Sequence, residues 1–266
     1  MIDDLRLMCV LAHPDDESLG TGGILARYAA EGVATFLVTA TRGEHGWPHP
    51  EPYPGPQELG ALREAELRAA AAILGIRETT VLPYIDGVLD QAAPEGVIGL
   101  IVQELRRVRP QVVVTFGPDG GYGHPDHIAI SQFTATAVVC AADQGFPGDL
   151  PPHAVSKLYY MALSEELAQL YQEVFGELTM EIDGVRRGGV GWPDWIITSQ
   201  IDTAEHWQTV LRAILCHRTQ LPNASALMEL PEDRQRALWG RPTYYRVMSS
   251  VNGGRDQERD LFAGLR

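Results

Sequence analysis

The chain of 266 residues predicts an α/β protein: a Rossmann-like, open and mostly parallel sheet with helices on both faces, plus a smaller C-terminal elaboration. Three observations predict it. Short runs that are apolar at nearly every position read as strands buried on both faces. They alternate with longer amphipathic segments that read as helices, the pattern of crossover units of one hand. The length fits one large α/β domain, and a 45% hydrophobic content supplies its core. Residues 1–266 are therefore expected to be one domain, with the Rossmann-like core over 1–150 and further strands and helices over 151–266 completing it.

The elements follow in order. Residues 5–11 are a short apolar strand, and 19–32 a helix stopped by Gly32. A second strand spans 34–40. The Pro- and Gly-rich segment 42–56 is a loop overhanging the carboxyl end of that strand. Residues 57–75 form an amphipathic helix with Leu59, Leu62, Leu67, Ile73 and Leu74 among its apolar positions. A third strand covers 79–82. The helix over 94–109 has Pro at its start and cations at its end, as the helix dipole favours. Residues 111–116 are the fourth strand and 125–142 the helix after it. Beyond about residue 150 the pattern weakens: 157–162 and 196–201 read as strands and 204–219 as a helix. The Gly-rich segment 176–195 carries Ile182-Asp183-Gly184-Val185, a hairpin turn. The last dozen residues are polar and expected to be loosely held.

Bulk properties narrow the function. The formal net charge is -14 and no Lys/Arg block occurs, which argues against nucleic-acid and membrane-surface partners. Cys9, Cys140 and Cys216 are too few and too widely spaced for a disulfide framework; Cys9 and Cys140 read as buried thiols. The acidic start Met1-Ile2-Asp3-Asp4 lacks the features of a signal peptide, and no apolar run is long enough to span a bilayer, so a cytoplasmic location is expected. Asn223-Ala224-Ser225 matches a glycosylation sequon by accident in such a setting.

The chemistry sits in two motifs, each at the carboxyl end of a strand: Ala12-His13-Pro14-Asp15-Asp16-Glu17 and His124-Pro125-Asp126-His127. In an open α/β sheet ligands bind beyond the strand ends, where strand order reverses, and the first and fourth strands are neighbours there. The fold therefore brings His13 and His127 together. His13 and Asp16 are three apart and share one side of a turn. With His127 they make three N/O ligands with an open position, the pattern of a catalytic zinc site. Asp15 is left as a general base. Both His124 and His127 would crowd one ion, so His124 is assigned to the reacting group, with Asp126 accepting from an imidazole and favouring His124 as a cation. The bland readings are that the Asp pair caps the helix and that His124 and Asp126 only tie down a loop. One zinc per chain is expected; iron, cobalt and nickel suit the same ligands.

Together the residues Ala12–Glu17 (AHPDDE) and 121–127 (GYGHPDH) resemble the PIG-L/LmbE-like superfamily of zinc-dependent N-acetylglucosamine deacetylases and related amidases. Thr41-Arg42-Gly43-Glu44-His45-Gly46, Arg63-Glu64-Ala65-Glu66 and His217-Arg218-Thr219-Gln220 resemble further motifs of that family in the same order. The resemblance implies zinc on His13, Asp16 and His127, Asp15 as base, His124 with Asp126 as electrophilic partner, and Tyr122 polarising the scissile carbonyl. It also implies substrate contacts from Arg63 and Asp86. Arg42 is a candidate for an anionic group on the aglycone, or a surface charge. Glu44 and His217 are read as braces. His45, Trp47, His49 and Tyr53 either form a lid over a sugar or pack their own loop. Trp192 and Trp195 belong to a loop or to a subunit interface, and a homo-oligomer stays open.

The expected function is removal of the N-acetyl group from an N-acetylglucosamine conjugate, such as a precursor of a low-molecular-weight thiol. An amidase acting on thiol S-conjugates and a natural-product deacetylase use the same chemistry. A two-metal phosphoesterase would need a second ligand cluster, and a non-catalytic sugar-binding relative would lack Asp15 or a ligand. An NAD-binding protein would carry G-x-G-x-x-G where HPDD stands.

Overall fold

The computed structural model describes residues 5–177, 179–182, 184–222 and 224–266. The acidic start at 1–4, Asp183 of the expected turn and Asn223 of the sequon lie outside the described residues.

Among the described residues, seven strands form one sheet in the order β3 (Glu78–Tyr84), β2 (Ala34–Thr41), β1 (Arg6–Leu11), β4 (Val112–Thr115), β5 (Lys157–Met161), β9 (Thr243–Ser249) and β8 (Ser199–Gln200). The first five run parallel; β9 is antiparallel to β5, and β8 to β9. The strand order reverses between β1 and β4, which pair directly through Leu7↔Val112, Met8↔Val113 and Cys9↔Val114. The α/β class and the neighbouring first and fourth strands are thus as the sequence predicts.

β1 is apolar on both sides because both sides are covered: Leu7, Met8, Cys9, Val10 and Leu11 have no exposed surface. Each large side chain buried this way contributes about 1.5–3 kcal/mol. Helices α2 (Gly22–Ala30), α3 (Pro56–Leu74) and α8 (Trp207–Ile214) pack on one another, and α4 (Pro94–Val108) packs on α6 (Pro125–Ala142). Helix α4 turns Val97, Ile101, Leu105 and Val108 inward at helical spacing.

Several expectations need correction. The helix expected over 19–32 begins only at Gly22 as α2; a separate short helix α1 (Asp16–Leu19) precedes it, with a break at Gly20-Thr21 where the Thr21 hydroxyl donates to the Glu17 carbonyl. Of 196–201 only Ser199 and Gln200 pair, at the sheet edge; Asp194–Ile196 is a tight turn. The helix over 204–219 ends at Ile214, and the chain then tightens so that His217 and Thr219 reach Glu17 and Glu66. The polar tail is anchored: Leu261 and Phe262 are fully buried, and Tyr28 donates to Asp260. Cys140 is half-buried rather than buried. The expected hairpin is present as β6 (Thr179–Ile182) paired with β7 (Val185–Gly188). Helices α7 (Glu165–Phe175), α9 (Ala224–Glu229) and α10 (Glu232–Gly240) and strand β9 are additions to the predicted elements. No helix among the described residues is long and apolar enough to cross a membrane.

Candidate active site

The first turn is built by its own carboxylates. Asp16 Oδ2 accepts from the amides of Ala12 (3.1 Å) and His13 (2.8 Å), which closes the end of β1 and fixes where Asp16 points. Asp15 has φ 111°, a left-handed conformation that costs a non-glycine residue about 1–3 kcal/mol and recurs at functional sites. Its amide donates to Glu17 Oε2 at 3.0 Å, and its carboxylate takes a hydrogen bond from Arg63 at 3.2 Å. The Arg63 guanidinium also donates to the carbonyls of Gly43 (2.8 Å) and Pro14 (2.5 Å). Gly43 has φ 63°, and a Cβ there would overlap that guanidinium, so the position requires glycine.

The second turn follows β4. Phe116 stacks on the His127 ring with centroids 3.9 Å apart. His127 Nδ1 donates to the carbonyl of Gly120 at 3.1 Å, in the short helical turn α5 (Gly120–Gly123), and this leaves its Nε2 as the ring's acceptor nitrogen. Gly120 itself has φ 63° and no room for a side chain beside His127 and Ile128.

The two turns meet. His13 Nδ1 lies 3.1 Å from His127 Nε2, and the Asp16 carboxylate lies 3.8 Å from the former and 3.6 Å from the latter. On its other edge His13 Nε2 is 3.0 Å from Asp86 Oδ1 and 3.1 Å from Asp126 Oδ2. His13, His124 and His127 form one donor group close enough to share an ion, and His13, Asp86 and Asp126 another.

The electrostatics fit a cation in this gap. Burial alone would lower His13, but the Asp126 and Asp86 carboxylates outweigh it and lift it to about 10. His127 is pushed well below its ordinary range by burial and by the His13 charge. A cation between the two nitrogens would satisfy both rings, and metal binding displaces protons from such ligands. Asp16 is pushed up to about 7 by burial, which the His13 charge only partly offsets; a bound cation would relieve that penalty. The carboxylates behind His13 are the hydrogen-bond partners that a metal-ligating imidazole requires.

Other candidates land differently. The Asp126 carboxylate does not touch His124: it bonds His13 and accepts from the amides of Gly87 (2.7 Å) and Leu89 (3.0 Å). His124 Nδ1 instead accepts from the Asp126 amide at 3.1 Å. Burial and the nearby His13 charge lower His124 to about 4, a direction that favours a neutral ring over the expected cation. Arg63 and Asp86 are buried and committed to Asp15 and His13, and Arg42 pairs with Glu64 at the surface. None of these three expected substrate contacts lines the cavity described below. Glu44 accepts from the Asp86 amide at 3.4 Å, and His45 donates its own amide to Asp86 at 3.0 Å. His49 and Tyr53 bond backbone carbonyls, and Trp47 donates to the Glu51 carbonyl within its loop.

A cavity of about 400 Å³ opens from this meeting point, lined by Asp15, Asp16, Tyr122 and His127 at one end. Burial and the Asp16 and Asp15 carboxylates keep the Tyr122 phenol protonated. Asp119 was not a candidate from sequence. It lines the cavity, binds the Trp192 indole through Oδ2 at 3.1 Å, and has a buried Oδ1 without a partner. Its signal was its place just ahead of Gly120 in the second motif's loop.

Comparison with known proteins adds an independent finding. The model of the PIG-L family, described as GlcNAc-PI de-N-acetylase, matches residues 8–138. A protein of Kineococcus radiotolerans named 1D-myo-inositol 2-acetamido-2-deoxy-alpha-D-glucopyranoside deacetylase is 34% identical, over 98% of this chain and 83% of its own. Among solved structures, the N,N'-diacetylchitobiose deacetylase of Pyrococcus horikoshii aligns with a TM-score of 0.67 at 19% identity, over 91% of this chain and 83% of its own. The 4-carboxy-2-hydroxymuconate hydratase of Pseudomonas putida aligns with a TM-score of 0.65 at 19% identity, over 94% and 99%. Likeness at that level speaks for the fold alone, and the fold carries more than one chemistry.

Proposed function

This chain belongs to the PIG-L family, and from that premise we propose that it is a metal-dependent N-deacetylase of an N-acetylglucosamine conjugate. Water and the acetamide are converted to acetate and a free amine. The observation that carries the reading is the convergence of His13, His127 and Asp16, of which His127 and Asp16 line the cavity together with Asp15.

His13 Nδ1, His127 Nε2 and the Asp16 carboxylate would hold the ion, with zinc the best match to the donor set and iron, cobalt or nickel able to replace it. Bound zinc would supply Lewis acidity, polarising the amide carbonyl and making water nucleophilic near neutral pH. Asp86 and Asp126 orient His13 from behind. Arg63 and the Pro14–Asp15 turn hold the Asp15 carboxylate at the cavity wall, where burial raises its pKa and the Arg63 charge partly offsets this. Such a carboxylate takes the proton of the attacking water and returns it to the leaving nitrogen. Neutral His124 has its Nδ1 occupied by the Asp126 amide, so its proton sits on Nε2, and that N–H stabilises the developing oxyanion. A cation in the His13 gap acts on His124 in the same direction, keeping it neutral. The Tyr122 phenol donates to the same oxygen.

The whole chain acts as one catalytic unit, because β5, β9 and β8 continue the core sheet and the cavity draws its walls from both halves. The test is acetate and primary-amine release from a panel of N-acetylglucosamine conjugates, including the inositol conjugate. Release of both in equal amounts is expected; no release from any conjugate by the metal-loaded chain would refute the reading.

A further inference from the structure

The cavity has a second half that the acetamide chemistry does not use. Beyond the end formed by Asp15, Asp16 and His127, its walls include Met161 at the end of β5, Leu167 and Phe175 of α7, Leu221, and Leu238 and Trp239 of α10. Asp15, Asp16 and Asp119 are the carboxylates among its described lining residues, all at the reacting end, and no Lys or Arg lines it. Leu238 and Trp239 are buried, and Met161, Leu167 and Phe175 are half-buried. Leu238, Trp239, Phe175 and Leu221 belong to a second apolar cluster, whereas Met161 packs against the main core.

We propose that this compartment binds an apolar aglycone, so that the substrate is an N-acetylglucosaminide bearing an alkyl or aryl group. The proposal rests on the deacetylase reading above and adds the class of conjugate. Three points support it. The compartment is continuous with the reacting end, so a group there is covalently attached to the molecule whose amide is cleaved. Ligand pockets of roughly 300–1,000 Å³ bury most of their ligand, and about 400 Å³ exceeds what an acetyl group fills. The polar side chains Tyr171, Gln220 and Thr243 also line the cavity, but each already donates to a backbone carbonyl, of Leu19, Gly46 and Ala162 in turn. A polyhydroxylated aglycone such as inositol would therefore lose more water than these groups and the Leu, Met, Phe and Trp walls repay, whereas an alkyl or aryl group gains from the same burial. Tyr122 at the near end is left to read the sugar.

The test is kcat/KM of the zinc-loaded full chain for methyl, butyl, hexyl and octyl N-acetyl-α-D-glucosaminides, beside the α-linked N-acetylglucosaminyl-inositol. Each methylene buried is expected to raise kcat/KM about threefold, mostly through KM. A rise of tenfold or more from methyl to octyl supports the proposal. A flat series with the inositol conjugate preferred overturns it while leaving the deacetylase reading intact. No amine from any compound overturns both. Leu167→Asp checks the location: its octyl-to-methyl ratio should fall toward one, while Leu167→Met keeps the wild-type ratio. An unchanged ratio in a folded Leu167→Asp protein would place the aglycone elsewhere and overturn the assignment. The wild-type series decides the matter if Leu167→Asp does not fold.

Discussion

The imidazole Nε2 of His217 lies 2.7 Å from the Glu17 carboxylate, and the two residues are 200 positions apart in the chain. Both are almost wholly buried. Glu17 in turn accepts the amide of Asp15, the residue held at φ 111°. The late segment of the chain therefore braces the strained turn that presents the proposed base. Glu17→Gln and His217→Ala are expected to lower kcat about tenfold or more, a loss of ~1.4 kcal/mol in the barrier difference, with KM little changed and metal retained. A rise in KM at unchanged kcat would show that the pair does not position Asp15.

Asp15→Ala removes the proton acceptor and no metal donor. Turnover should fall by roughly 10²–10⁴-fold while metal content measured by elemental analysis stays at the wild-type level. Loss of the metal along with activity would move Asp15 into the ligand set.

Tyr122→Phe deletes one neutral hydrogen-bond donor facing the cavity. A single such bond is worth about 0.5–1.5 kcal/mol, so kcat should drop roughly two- to tenfold. Unchanged steady-state kinetics would take the phenol out of the mechanism.

Stability at acid pH should report the C-terminal anchor. Lys157 Nζ donates to Glu258 at 2.7 Å, both side chains being buried. Burial would raise Glu258, but the hydrogen bonds from Lys157, Tyr159 and Asn252 outweigh it and hold the carboxyl at about 2, against an ordinary value of 4.5. A lowered pKa contributes stability that is complete above the unfolded value and fades as pH falls toward the folded one. At pH 7, Glu258→Ala should cost about 3–5 kcal/mol in urea unfolding, since it leaves Lys157 buried without its partner. The gap from wild type should shrink between pH 4.5 and pH 2. An equal gap at both ends of that window would mean that the pair contributes nothing through its charge.

How much of this was legible in the sequence follows from what each feature depends on. β1 and β4 were readable because burial on both faces leaves an apolar mark on all but one residue of each, and the motifs at their ends then met by topology. Asp86 and Asp126 were named, but their direction was not readable. Asp126 turns to His13 because the amides of Gly87 and Leu89 hold it there, and that depends on how the segment after β3 folds back. Arg63 turns inward beside Asp15 because Gly43 and Pro14 offer it carbonyls at close range, a direction set by the fold and not by its helix pattern. Leu261 and Phe262 were hidden by polar neighbours, so the anchored tail read as loose. The break before His217 carries no local signal, since its cause lies at Glu17 on the far side of the sequence.

The most direct measurement is a titration of the metal-free chain with zinc, following bound metal and amine release from an N-acetylglucosamine conjugate together. The account predicts that one equivalent binds, that activity rises in step with it, and that His13→Ala and His127→Ala abolish both. Full amine release by a chain stripped of metal, or undiminished zinc binding after loss of both imidazoles, would contradict it.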